Sequence, residues 1–110
     1  MDKKIIIWKY DPSSYKYYPD QRIEDHHEAV YSVAYSDDDS LLMSGSFDKT
    51  VKIRKFSEQR QNYEHSQTLF GHGGTVFGVR ATSKNTYILS CSYDKTVIVW
   101  HLEGLKYRKF

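Results

Sequence analysis

Apolar residues in this chain come in short runs rich in Val, Ile, Tyr and Thr, separated by clusters of Asp, Ser, Asn and Gly. β-branched and aromatic side chains suit a pleated, half-buried surface, so these runs predict strands. No stretch sustains the spacing of three and four that a helix needs to keep one face apolar. One strand type is predicted over Val30–Tyr35 and again over Val76–Ala81. Asp37-Asp38-Asp39 and Ser83-Lys84-Asn85 follow as turns, because Asp, Asn and Ser bond to nearby backbone. A second type covers 41–44 and 87–90, where near-continuous apolar character predicts burial on both faces. Asp48-Lys49 and Asp94-Lys95 turn the chain into a third type, over 51–53 and 97–100. A fourth, more polar strand is predicted near 63–70, with its counterpart near 17–23. Pro12 and Pro19 flank the first long connection, where loops and edges tolerate proline.

The pattern repeats. Asp48-Lys49-Thr50-Val51 recurs 46 residues later as Asp94-Lys95-Thr96-Val97, and a decayed copy, Asp2-Lys3-Lys4-Ile5, precedes it by the same step. His26 and His72 keep that step, and each lies 22 positions before its aspartate. Val30 and Val76, Val33 and Val79, Ser44 and Ser90, and Ser46 and Ser92 align without a gap. A fixed period of this size means one supersecondary unit stacked on copies of itself, each needing neighbours to bury its apolar face. Four strands per unit at this period predict blades of a β-propeller, an all-β antiparallel architecture. The organisation read from the step is the end of one unit over 1–25, a full unit over 26–71, and a full unit with a short tail over 72–110. A ring needs about four to eight blades. The expectation is therefore an incomplete, open ring: a piece of a longer propeller or a truncated gene product first, and second a chain that completes its ring by self-association or with blades supplied elsewhere.

Gly71-His72, then Ser92-Tyr93-Asp94-Lys95-Thr96, then Val97-Ile98-Val99-Trp100, resemble a WD repeat, and the resemblance covers nearly the whole chain. It departs at Asp25, where glycine is usual, at Arg54-Lys55, where Trp-Asp is usual, and at His101, which follows Trp100 in place of aspartate. The resemblance implies a buried polar network in each unit: a histidine bonded to the hairpin aspartate, completed by a serine and the third-strand tryptophan. It assigns His72, Asp94 and Trp100, with Ser90 or Ser92, and in the middle unit His26 and Asp48, with Ser44 or Ser46, Arg54 standing for the tryptophan. Both serines of a unit fall on one strand face by parity, so the sequence leaves that choice open. The resemblance also implies a contact platform at one end of the stack. There it places Phe47 and Tyr93, each before a hairpin aspartate, and Ala29 and Thr75 before the first strand, with His27 and Gly73 nearby.

Chemistry narrows the functions. His, Ser and Asp occur together, but once per repeat and without a nucleophile elbow, so no catalytic residue is assigned and the network is read as structural. His26-His27 is an adjacent pair whose side chains leave opposite faces of an extended chain, and Cys91 has no partner at ligand spacing, so no metal or cofactor is expected. Gly71, Gly73 and Gly74 read as turn residues, not a phosphate cradle. Sixteen basic against fourteen acidic residues give a formal charge of +2, which argues against a polyanion binder, and Lys106, Arg108 and Lys109 read as solvated strand ends. Cys91, the single cysteine, excludes an internal disulfide and reads as a small packed hydrophobe. The apolar start is too short for a secretion signal, and no segment reaches membrane-span length.

The expected function is a non-catalytic protein-interaction scaffold. Its partners would be other proteins, not nucleic acid or membrane, in an intracellular setting, cytoplasmic first and nuclear second. A narrower alternative, implied by resemblance alone, is a WD-repeat subunit of cytosolic iron–sulfur protein assembly. An enzyme or a nucleic-acid binder ranks below both.

Overall fold

The computed structural model describes residues 3–110, leaving aside the side chain of Ser83. Asp2 of the decayed first copy lies outside the described residues. Ten strands run in chain order: β1 (Ile5–Asp11), β2 (Lys16–Ile23), β3 (Val30–Tyr35), β4 (Leu41–Ser46), β5 (Val51–Ser57), β6 (Asn62–Leu69), β7 (Val76–Ala81), β8 (Tyr87–Ser92), β9 (Val97–Glu103) and β10 (Lys106–Lys109). A short 3-10 turn, Ser83–Asn85, is the one helical element among the described residues. β1 and β2 form a two-stranded sheet, and β3 to β6 and β7 to β10 form four-stranded sheets, each strand antiparallel to its neighbour in sequence. These are antiparallel blades stacked without closing a ring. Among the described residues no helix is long and apolar enough to cross a membrane.

Two apolar layers hold the stack together. Ile5, Ile7 and Ile23 of the first sheet meet Leu42 of the second. Leu41, Met43, Val51 and Ile53 on the second sheet's other face meet Val76, Val79, Ile88, Ile98 and Trp100 of the third. Contact there is close enough to specify a glycine. A Cβ on Gly45 would lie 2.6 Å from Val76 Cγ1 and 3.0 Å from Val76 O.

The expectation of strands buried on both faces holds for β4 and not for β8. All six residues of β4 are buried. Leu89 and Val97, one repeat beyond Met43 and Val51, are 36% and 65% exposed, against 0% for each of the earlier pair. The strand chemistry is the same; the difference is that, among the described residues, no sheet covers the third sheet's far face. Cys91 accordingly is half-buried on an open face, leaning over Gly78, whose added Cβ would meet its Sγ at 2.6 Å. In the second sheet the small residue of the equivalent register pair, Ser32 and Gly45, sits on the other strand.

Pro19 lies inside β2, within the polar strand expected near 17–23. It directly precedes a bulge at Asp20 on an edge strand, where proline is tolerated. The outer strands carry a link that the sequence reading did not contain. The Gln21 side chain donates to Tyr63 O (2.7 Å) and accepts from Tyr63 N (2.9 Å). One repeat later Gln67 does the same with Tyr107, at 2.7 and 2.8 Å. A side-chain amide thereby acts as a ladder rung between neighbouring sheets.

Gly45→Ala is expected to destabilise the fold by about 1–3 kcal/mol through overpacking, and Val76→Ala in the same chain to recover part of the loss. Urea unfolding of the two variants checks this, and an unchanged midpoint for Gly45→Ala would contradict the close approach.

Candidate functional site

His72 lies in the link between β6 and β7, and Asp94 in the turn between β8 and β9. His72 Nδ1 is 3.1 Å from Asp94 Oδ2, and its Nε2 is 2.7 Å from Ser90 Oγ. Trp100 Nε1 donates to the same Ser90 oxygen at 2.8 Å. The ionised Asp94 carboxylate can only accept, so the ring proton sits on Nδ1 and is donated to Asp94. In the neutral ring Nε2 is then bare and accepts from the Ser90 hydroxyl, which itself accepts from the Trp100 N–H. The carboxylate also accepts from Thr96 N, from the Thr96 hydroxyl and from Gly73 N. These bonds, that from the Thr96 hydroxyl foremost, hold its pKa well below the usual carboxylate range.

The geometry distinguishes the two serines. Ser90 and Ser44 bond the histidines, whereas Ser92 accepts from Asp94 N (3.1 Å) and Ser46 donates to Ala29 O (2.8 Å). The inner serine of each pair joins ring to third strand, and the outer one braces the hairpin.

The second sheet keeps this wiring with different parts. His26 Nδ1 is 2.9 Å from Asp48 Oδ2, His26 Nε2 is 2.5 Å from Ser44 Oγ, and Arg54 Nη1 donates to Ser44 at 2.9 Å. The Asp48 carboxylate likewise fixes the ring proton on Nδ1, and the guanidinium takes the indole's place as the donor to the serine. Arg54 is fully buried and forks onto Asp25, with Nε 3.0 Å from Oδ2 and Nη2 2.5 Å from Oδ1. The two departures from the family pattern are thus one exchange. A Cβ at Gly71 would lie 3.1 Å from the Trp100 ring, so tryptophan asks for glycine there. Arginine removes the ring and asks for an acid, and Asp25 supplies it.

Burial raises the Asp25 carboxyl, but the Arg54 hydrogen bond and charge outweigh it and hold it below the ordinary value. Asp48 is likewise raised by burial and carried lower overall by Thr50 and His26. Burial pushes His26 down, Asp48 opposes this, and the Arg54 charge adds to the fall.

Above these clamps runs a rim of aromatic residues. Phe47 and Tyr93 are 52% and 71% exposed. Phe47 sits 6.4 Å, centroid to centroid, from Tyr31, and Tyr93 sits 4.9 Å from Phe77. Tyr31 and Phe77 are the residues that β-bulges leave without a register partner, between Val30 and Ser32 and between Val76 and Gly78. A bulge re-aims a side chain, and here it does so twice in the same way. Both of these aromatics are exposed as well. The sequence reading missed them, although each directly follows an aligned valine and is aromatic in both units. Of the other rim residues, His27 is exposed and its N–H donates to Asp48 (3.3 Å). Ala29 is half-buried and Thr75 buried, and their carbonyls accept from Phe47 N (2.9 Å) and Tyr93 N (3.0 Å). They hold the aromatics' backbone from below. Among the described residues no group of three or more His, Cys, Asp or Glu is placed to hold a metal ion.

Stacked four-stranded blades, each closed by a histidine, serine and aspartate clamp, define a repeat protein of the propeller class. The family model described as WD domain, G-beta repeat, matches residues 18–54 and 63–101, and the chain belongs to that family. No curated protein matches the chain. WD-repeat domains are non-catalytic scaffolds that mediate protein–protein interaction, and this chain is a scaffold of that type.

Arg54→Trp alone is expected to cost about 3 kcal/mol, the low end for breaking a buried pair because Asp25 keeps some contact with water. Asp25→Gly added to it should restore most of the loss, a coupling that urea unfolding of both single variants and the double variant measures. The wiring also fixes a pH response. His26 is held neutral, so its contribution is whole above about pH 6.5 and is lost as pH falls below that value. The contributions of Asp25, Asp48 and Asp94 are present above about pH 3.9 and disappear as pH drops through their lowered folded values. An NMR titration of the His26 ring should give a midpoint below the ordinary histidine value. A midpoint at or above it would contradict a ring held neutral by its burial.

Proposed function

We propose that the contact surface of this scaffold is the aromatic rim formed by Tyr31, Phe47, Phe77 and Tyr93. The observation that carries this reading is the pairing of exposed rings on bulges that recur at the repeat step. A ring that served only the fold would be covered, as Trp100 is at 3% exposure. These four instead stay open to water on a frame braced from beneath by Ala29 and Thr75. Rigid aromatics presented this way supply large contact area at little entropic cost, and such residues dominate binding energy at protein interfaces.

The open cleft of about 770 Å³ beside β3, β7 and β8, lined in part by Val33, Tyr35, Arg80 and Leu89, supports a partner that reaches beyond the rim. Its apolar walls offer a place for side chains that follow an anchored segment.

Phe47→Ala with Tyr93→Ala is expected to leave the unfolding free energy within about 0.5 kcal/mol of the parent chain, as surface substitutions do. It should reduce recovery of partner proteins from cell extract about tenfold, the equivalent of roughly 1.4 kcal/mol. Undiminished recovery by a folded double variant would remove the rim from the contact surface.

A further inference from the structure

We propose that a second copy of this chain covers the two outward faces of the stack, first sheet against third and third against first, so that two copies close one ring. These faces are the two halves of a junction that the molecule already builds. Where the second sheet meets the third, Met43, Val51 and Ile53 on one side pack with Ile98 and Trp100 on the other. The first junction uses the same places. Ile5 and Ile7 stand one repeat before Val51 and Ile53, and Leu42 stands one repeat before Ile88.

The outward faces continue the series. One repeat beyond Met43, Val51 and Ile53 come Leu89, Val97 and Val99 of the third sheet, the first two exposed and the last half-buried. Two repeats before Ile98 and Trp100 come Ile6 and Trp8 of the first sheet. Trp8 is 56% exposed, against 3% for Trp100. Tyr10 lies on the same strand face as Trp8 by alternation, and its ring centroid is 5.0 Å from that of its exposed cross-strand partner Tyr17. One end of the stack thus presents the aliphatic half of the junction, and the other end presents the tryptophan half.

Apolar faces left open in this way mark interaction sites. What selects a copy of the same chain is that one molecule carries both halves, at opposite ends, and each is the half the other lacks. A contact between unlike faces closes into a ring when the rotation per copy returns to its start, and otherwise grows as a filament. Each copy brings three sheets. Two copies bring twice that number, inside the span of about four to eight blades that rings adopt, and three copies exceed it. The first sheet brings two strands to the junction, so the cover falls chiefly on β9 and β10, and the cleft beside β3, β7 and β8 stays open.

Light scattering after size exclusion, with native mass spectrometry, tests this on the full chain. The expected species has twice the chain mass, and its melting midpoint rises with protein concentration. Trp8→Glu and Val97→Glu should each raise the dimer dissociation constant at least about tenfold. Both side chains are more than half exposed within one copy, so neither change disturbs its core. Mixing the two variants tests whether unlike faces meet. The first sheet of the Val97→Glu copy and the third sheet of the Trp8→Glu copy are unaltered, so the mixture should pair more tightly than either variant with itself.

A monomer at every concentration overturns the proposal, and so does a filament. A dimer that neither variant weakens, or a mixture that pairs no better than its folded components, overturns it too. The parent chain alone decides the first of these outcomes, so a variant that fails to fold does not shelter the idea. Phe47→Ala with Tyr93→Ala should leave the dimer in place, since the aromatic rim takes no part. Loss of the dimer in that variant would put the second copy on the rim and overturn the assignment.

Discussion

A buried serine hydroxyl held between a histidine ring and a group able only to donate joins the rest together. In the third sheet the donor is Trp100 and in the second it is Arg54, and in each the same sequence of proton positions runs outward. The serine gives its proton to the ring, the ring gives its own to the aspartate, and the aspartate is left as a saturated acceptor at the surface end. Two strands, the link before them and a turn are fastened by this chain, and every polar group in it that is buried has a partner. Partial satisfaction would cost more than an apolar substitute, which is why the members change together when they change at all.

That dependence explains how far the sequence could be read. Period, strand types and the histidine and aspartate pairs were legible, because a 46-residue step repeats both the apolar runs and the turn residues that delimit them. The choice between Ser44 and Ser46, or Ser90 and Ser92, was not, since alternate strand residues share a face and only depth separates them. Asp25 and Arg54 were visible as two departures, but that they answer each other required the 3.1 Å approach between a Gly71 Cβ and the Trp100 ring. The bulged aromatics were overlooked for a related reason. A bulge breaks the alternation used to assign faces, so Tyr31 and Phe77 read as ordinary strand residues until register was known. Burial of β8 on both faces was expected from composition alone, and composition does not say whether a covering sheet is present.

The clamps and the rim are mechanically one device. Ala29 and Thr75 offer their carbonyls to the N–H groups of Phe47 and Tyr93, and the next residue in each hairpin is the aspartate that the clamp holds. The position of an exposed ring is thereby referred back to a buried histidine through two bonds. Contact residues on such a mount lose little freedom when a partner arrives, since most of it was given up on folding.

The glutamine rungs carry a different implication. Gln21 and Gln67 reach across the outer perimeter and grip Tyr63 and Tyr107 by both backbone groups, as a peptide unit would. Near the axis, spacing between sheets is governed by how tightly Gly45 lets Val76 approach. At the periphery it is governed by the reach of one side chain. The wedge angle by which successive sheets fan apart is therefore gauged at two radii, glycine on the inside and glutamine on the outside, and lengthening or shortening either would alter the curvature of the whole array.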